Sequence, residues 1–194
     1  MTVLLVIVGV IALLALWAVG IYNNLIRLRN QVKNAWAQID VQLQRRYDLI
    51  PNLIETVKGY MAHEKGTLEA VVNARNQASQ ARKNIGGVPQ EGELKELAGA
   101  ETALRGALAN VFALSESYPD LKANSTMQNL QEELSSTENK VAFSRQSYND
   151  QVLKYNTAQE QFPATLFAAT FGHSPADLYE VEEPEARKAV KVAF

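Results

Sequence analysis

The sequence predicts an all-α protein, and three observations carry that expectation. Residues Met1 to Asn24 hold no charged side chain, and the run TVLLVIVGVIALLALWAVGI within them is apolar on every face. Beyond it, long Ala-, Leu-, Gln- and Glu-rich stretches place apolar residues at steps of three and four, the period of a helix. Before Pro163 the only prolines are Pro51, Pro89 and Pro119, and they read as punctuation. The expected architecture is an N-terminal transmembrane helix, continuous with or closely followed by an elongated antiparallel bundle. Three long helices and a short C-terminal helix would build that bundle. The division expected is an anchor over residues 1–21 and a helical bundle domain over residues 22–194.

The anchor comes first in the chain. About 20 apolar residues at ~1.5 Å per residue match a hydrocarbon core of ~30 Å. A helix on a soluble domain needs one apolar stripe, so a helix apolar all round suits lipid. Secretory signals open on a basic residue and close on a small-x-small site. Here no Lys or Arg precedes the run, and Ala18-Val19-Gly20 is a weak version of such a site. The segment reads as a retained single-pass membrane anchor. Arg27, Arg29 and Lys33 follow it closely. The excess of positive charge on that side places the N-terminus outside and the C-terminal domain in the cytoplasm. The absence of cysteine agrees with that placement without requiring it.

A first long helix is expected to leave the membrane near Tyr22 and run to about Lys83. Its stripe is Leu25, Leu28, Val32, Ala35 or Trp36, Ile39 and Leu43, resuming after Pro51 as Ile54, Val57, Met61, Leu68, Val71 and Val72. Pro51 cannot donate to the carbonyl of Tyr47, so a kink is expected there; in the alternative, Asp48 caps a new helix. KNIGGVPQEG then ends the pattern. A second helix spans about Glu93 to Ser117. Gly92, Gly99 and Gly106 recur along it every seven residues, which fits either a closely approaching backbone or simply tolerated glycines.

After YPDLKANS, Ser125 and Gln128 form a capping box for a third helix. Its seam is the most regular in the chain: Met127, Leu130, Leu134, Thr137, Val141, Ser144, Tyr148, Gln151 or Val152, Tyr155, Ala158 and Phe162. Such alternation is the mark of a coiled-coil-like bundle, and Pro163 stops it. A brief helix around Thr165 to Phe171 follows, then turns at Gly172 and Pro175. Phe162, Phe167, Phe171 and Tyr179 are expected to cap the open end of the bundle. RKAVKVAF at the C-terminus suits an extended docking strand or a frayed helix.

Reactive chemistry is sparse. The chain has two histidines and no cysteine, and 19 basic against 21 acidic residues leave a net charge of −2. No basic field for nucleic acid results. His63-Glu64-Lys65 opens like a zinc-protease motif, but Thr67 stands where the second imidazole is needed. Gly86-Gly87 lacks the glycine and lysine of a phosphate-cradling loop. No catalytic, metal or cofactor residue is assigned. The most unusual polar cluster is Arg45, Arg46, Asp48 and Pro51, read either as a polar hinge or partner-binding patch, or as a salt-bridged surface beside a kink.

The residues also carry a resemblance. The stretch from Tyr22 to Ala78, followed in order by YPDLKAN, LQEELSSTENKVAFSRQSYNDQVLKYN and FPATLFA, resembles the LemA family over essentially everything after Gly20. The resemblance implies a membrane segment and a helical bundle, with no accepted catalytic residues to carry over. It implies company with membrane proteases of the HtpX type or with TPM-domain membrane proteins. A magnetosome-membrane relative implies a membrane-organising role in at least some members. Many family members carry a lipoprotein cysteine just before the YN pair, which would put their domain outside the cytoplasm. Here Val19-Gly20-Ile21-Tyr22-Asn23 has none, which excludes that lipid anchor. The resemblance leaves a domain outside the cytoplasm open as the alternative to the placement by charge.

Two function classes follow. One is a non-enzymatic, membrane-anchored homo-oligomeric scaffold whose partners are the lipid bilayer, further copies of itself and membrane proteins. The other is an accessory subunit of a membrane enzyme such as a protease.

Overall fold

The computed structural model describes residues 1–90 and 92–180. It is all-α: α1 (Thr2–Lys58), α2 (Lys65–Asn84), α3 (Glu93–Ser115), the single turn α4 (Pro119–Lys122), α5 (Ser125–Glu160) and a 3₁₀ turn at Ala164–Leu166. No strand occurs among the described residues.

Contacts between helices fix the topology. Trp36 meets Tyr148 at 6.1 Å between ring centroids, and Asn124 donates to the Tyr60 hydroxyl at 3.2 Å, so α5 descends along α1. Arg82 pairs with Asp40 at 2.6 Å, and Arg75 donates to the Tyr47 carbonyl at 3.3 Å, so α2 is antiparallel to α1. Arg105 pairs with Glu138 at 2.9 Å, which sets α3 antiparallel to α5. The result is an up-down-up-down four-helix bundle. Its core runs through Ile39, Leu43, Tyr47, Ile50 and Leu53 of α1, Val71 and Ala78 of α2, Leu97 and Leu104 of α3, and Tyr148 and Val152 of α5.

The helices differ greatly in length. α1 has 57 residues and α5 has 36, whereas α2 and α3 have 20 and 23. The α2–α3 hairpin therefore covers the α1–α5 pair only over its distal part. Nearer the anchor, the chain after α5 turns back and runs up the same groove.

The first helix departs from expectation only in where it ends. α1 passes through Pro51 unbroken and ends at Lys58, where Gly59 follows and Met61 N–H bonds Val57 O at 2.9 Å. The bundle thus has four long helices in place of the three expected. Pro51 is tolerated for two reasons. It is exposed, and the Tyr47 carbonyl that loses its intrahelical donor receives the Arg75 guanidinium instead.

Other local expectations also change. α3 stops at Ser115, and Gly99 and Gly106 have nothing within 4 Å of an added Cβ, so no backbone approaches there. Gly92 does need its freedom, since φ is +86° at the residue preceding α3. The cap of α5 is Asn124, whose Oδ1 accepts from Thr126 N–H at 2.9 Å and Met127 N–H at 3.2 Å, in place of a Ser125–Gln128 box. The helix expected over Thr165–Phe171 is a 3₁₀ turn followed by further turns. RKAVKVAF lies outside the described residues.

Candidate functional site

Two regions stand out: the membrane-proximal end of the molecule and a charged centre inside the bundle. The first begins with the apolar half of α1. From Val3 to Val19 its large side chains stand free of the protein, Leu13 at 69% and Leu16 at 71% exposure. It is the one helix among the described residues long and apolar enough to cross a membrane. Leu25 is buried, and from Val32 onward the same helix is buried every three or four residues.

At that transition the chain beyond α5 closes on α1. Ala164 and Ala168 pack on Leu25, with Ile21 and Ala158 at the edge of the contact. Tyr22 meets Phe171 edge-on at 5.2 Å, and Phe171 stacks on Phe167 at 6.1 Å. His173 lies buried beside Tyr155, whose hydroxyl is 2.9 Å from Nδ1, while Nε2 has no partner among the described residues. Burial, and then the nearby Arg29, lower the His173 pKa, so the ring is held neutral.

From Ala176 to Tyr179 the returning chain is strapped to α5 by two asparagines. Asn156 donates to Ala176 O at 2.9 Å and accepts from its N–H at 2.9 Å. Asn149 does the same for Tyr179, at 3.3 and 2.8 Å. Seven helical residues rise ~10.5 Å, and three extended ones span ~10 Å, so the two repeats are commensurate. The strap seats Tyr179 beside Trp36, and the Tyr148 hydroxyl donates to Asp177 O at 2.9 Å.

The second region lies in the distal bundle. Arg46 Nη1 donates to Glu101 Oε2 at 2.9 Å, and the Tyr47 hydroxyl donates to Oε1, so both carboxylate oxygens are occupied. Arg46 and Glu101 are 3% and 6% exposed. Burial, reinforced by the negative Glu101, pushes the Tyr47 phenol well above its ordinary range and keeps its proton on. A cavity of about 200 Å³ borders this centre, lined by Arg46, Glu101, Arg105, Glu138, Arg145 and Tyr179. Of its charges, Arg105 pairs with Glu138 and Arg145 lies over the Tyr179 ring at 5.9 Å, while Arg46 Nη2 has no hydrogen-bond partner among the described residues. This arrangement locks helices together.

The structure divides the polar cluster expected around Pro51. Arg46 is buried and joined to α3, so it belongs to the core and not to a surface patch. Arg45, Asp48 and Pro51 are exposed, with Asp48 accepting from Gln44 at 2.6 Å. Along the α5 seam, Leu130, Leu134, Val141, Tyr148 and Tyr155 are buried, whereas Phe162 lies beyond the helix and is 77% exposed. Phe162 therefore caps nothing. His63 sits exposed in the turn between α1 and α2.

Residue patterns did contain signals for what was missed. Arg46 falls in the α1 stripe between Leu43 and Ile50, and Glu101 falls in the α3 stripe between Leu97 and Leu104. Opposite charges at seam positions of two helices point to one buried pair. Asn149 and Asn156, seven apart beside the α5 seam, were a further sign.

Residues 35–194 match the LemA family. The chain belongs to the LemA family. Within it, this LemA-family chain is similar to the magnetosome protein MamQ 1 of Paramagnetospirillum magneticum, at 24% identity over 179 residues, 84% of this chain and 65% of the relative. The magnetosome protein MamQ of Magnetospirillum gryphiswaldense is 23% identical over the same shares. Protein LemA of Metamycoplasma hominis is 28% identical over 174 residues, 90% of this chain and 73% of that protein. The chain thus spans 65% of the length of the MamQ relatives. Family and anchor together make this a membrane-associated helical protein.

Proposed function

We propose that this LemA-family protein is a non-enzymatic scaffold. It stands on the inner membrane as a single-pass rod, associates with further copies of itself and organises membrane or membrane-protein partners. The observation that carries the reading is the seamless join in α1. An apolar segment with no protein cover continues without a break into the central helix of the bundle. An enzyme tethered for concentration alone needs only a loose linker, whereas a continuous helix sets the height and direction of what it carries. The engagement of both Glu101 carboxylate oxygens by Arg46 and Tyr47 supports a structural interior over a reactive one. Similarity to magnetosome proteins supports a role at membranes.

Arg27, Arg29 and Lys33 favour a cytoplasmic bundle with the N-terminus outside. An array would form through side-to-side contacts among identical rods. The experiment is the mass of the complex extracted in mild detergent, read by light scattering. Multiples of the 21.5 kDa chain support the scaffold. A fixed ratio to a foreign chain, such as an HtpX-type protease or a TPM-domain protein, would replace it by the accessory-subunit reading.

A further inference from the structure

The segment after α5 has a property that neither the bundle nor the anchor explains. Between Glu160 and Asp177 the chain carries no Asp, Glu, Lys or Arg. Within this uncharged stretch Phe162 and Leu166 are 77% and 63% exposed, although Ala164 and Ala168 from the same turns are buried. Ala164 and Ala168 face the protein, whereas Phe162 and Leu166 face away from it. That inverts the pattern a water-facing turn requires.

Where the turns sit explains the inversion. Ala164 and Ala168 pack on Leu25, and Ile21, the last residue of the apolar run, joins the same contact. Leu25 is only ~6 Å further along α1 than Ile21. The turns therefore lie at the level where the anchor leaves the hydrocarbon, within the ~5–10 Å to which interfacial apolar segments embed. Tyr22, packed edge-on against Phe171, stands where tyrosines gather at the border between lipid and water.

We propose that the turns from Phe162 to Phe171 are a second membrane contact, with Phe162 and Leu166 inserted into the headgroup and upper acyl region of the bilayer that α1 crosses. The occupant is lipid, because the patch is continuous with the lipid-facing surface of the anchor and carries no charge that a soluble partner would pair. A lone helix is free to rotate about its own axis, but a wedge on one side of it fixes which face of the bundle looks along the membrane. The proposal rests on α1 being the anchor.

The absence of cysteine makes the test direct. Single substitutions Phe162→Cys, Leu166→Cys, Leu13→Cys and Phe143→Cys, made in the full chain, are labelled with a nitroxide. Each protein is reconstituted in phosphatidylcholine–phosphatidylglycerol vesicles. Phe143 is the control for an exposed aromatic at 76%, and it stands about 26 Å above the end of α5. All four positions are exposed, so folding is spared. Relaxation by oxygen, which partitions into lipid, is compared with relaxation by a water-soluble nickel chelate. The labels at Phe162 and Leu166 should follow Leu13, with a loss of chelate relaxation relative to Phe143. Chelate access equal to that at Phe143, with Leu13 protected, would overturn the wedge and leave the anchor standing. Chelate access at Leu13 as well would overturn both. Protection at Phe162 accompanied by spin–spin broadening that vanishes on dilution with unlabelled chain would mean a second copy covers the patch, and the lipid contact would be wrong.

Discussion

The two halves of α1 share one backbone and almost nothing else. Over its first 20 residues no side chain is buried, though nearly all are apolar; over the remainder, Val32, Ile39, Leu43, Leu53 and Val57 are completely buried on one stripe. The helix does not register the change, because its hydrogen bonds are local and are satisfied in either surrounding. What changes is the periodicity of the side chains. Uniform apolarity offers every face to lipid, and a stripe offers one face to protein. The comparison shows that helix formation and helix environment are separate decisions, written in different features of the same residues.

The largest expected effect breaks the first half. Replacing Leu13 and Leu14 by Arg places two charges at the centre of the span, at roughly 2.5–3.5 kcal/mol each on insertion scales. Carbonate should then extract the protein while the distal bundle keeps its melting transition. Continued resistance to extraction would remove the anchor assignment.

A smaller effect sharpens the second half. Arg46→Ala leaves Glu101 buried without its cation, and breaking such a pair costs about 3–5 kcal/mol. Denaturant melts in detergent should show that loss. The triple variant Arg46→Met, Tyr47→Phe, Glu101→Leu, which removes every member of the network, should recover most of it. A surface patch would instead show little loss in the single variant.

The smallest effect lies where the halves meet. The His173 pKa is lowered in the fold, so the unfolded chain takes up a proton first, near pH ~6.5. The stability contributed by the neutral ring is present above that pH and is lost as the pH falls through the folded value. Melting temperature in wild type should therefore drop between neutral and mildly acidic buffer more than in His173→Gln. Parallel curves would show that protonation of this ring is not linked to folding.

The α5 seam was readable because Leu130, Leu134, Val141, Tyr148 and Tyr155 repeat locally and answer to one period. The end of α1 was not. Val57, Met61 and Leu68 keep steps of four and seven straight across the break, so the stripe continues where the backbone does not. At Pro51 a continuous helix was legible, but the group that satisfies the freed Tyr47 carbonyl was not, because Arg75 comes from another helix. The buried pair was hidden for a related reason. Arg46 and Glu101 stand 55 residues apart, and each alone looks like an exposed charge until the seams are superposed. The spacing of Asn149 and Asn156 was a sign, but what they hold was unreadable because those amides grip main-chain atoms, which every residue possesses.

The unbroken passage of α1 from lipid to bundle has a mechanical consequence. Some 37 residues separate Ile21 from Lys58, a lever of ~55 Å with no joint at its foot. Membrane helices tilt by ~20° on average, and such a tilt carries the tip of the lever about 19 Å sideways. Local bilayer thickness, which sets the tilt, would thus be converted into displacement at the turn where Tyr60 meets Asn124, far outside the reach of the lipids themselves.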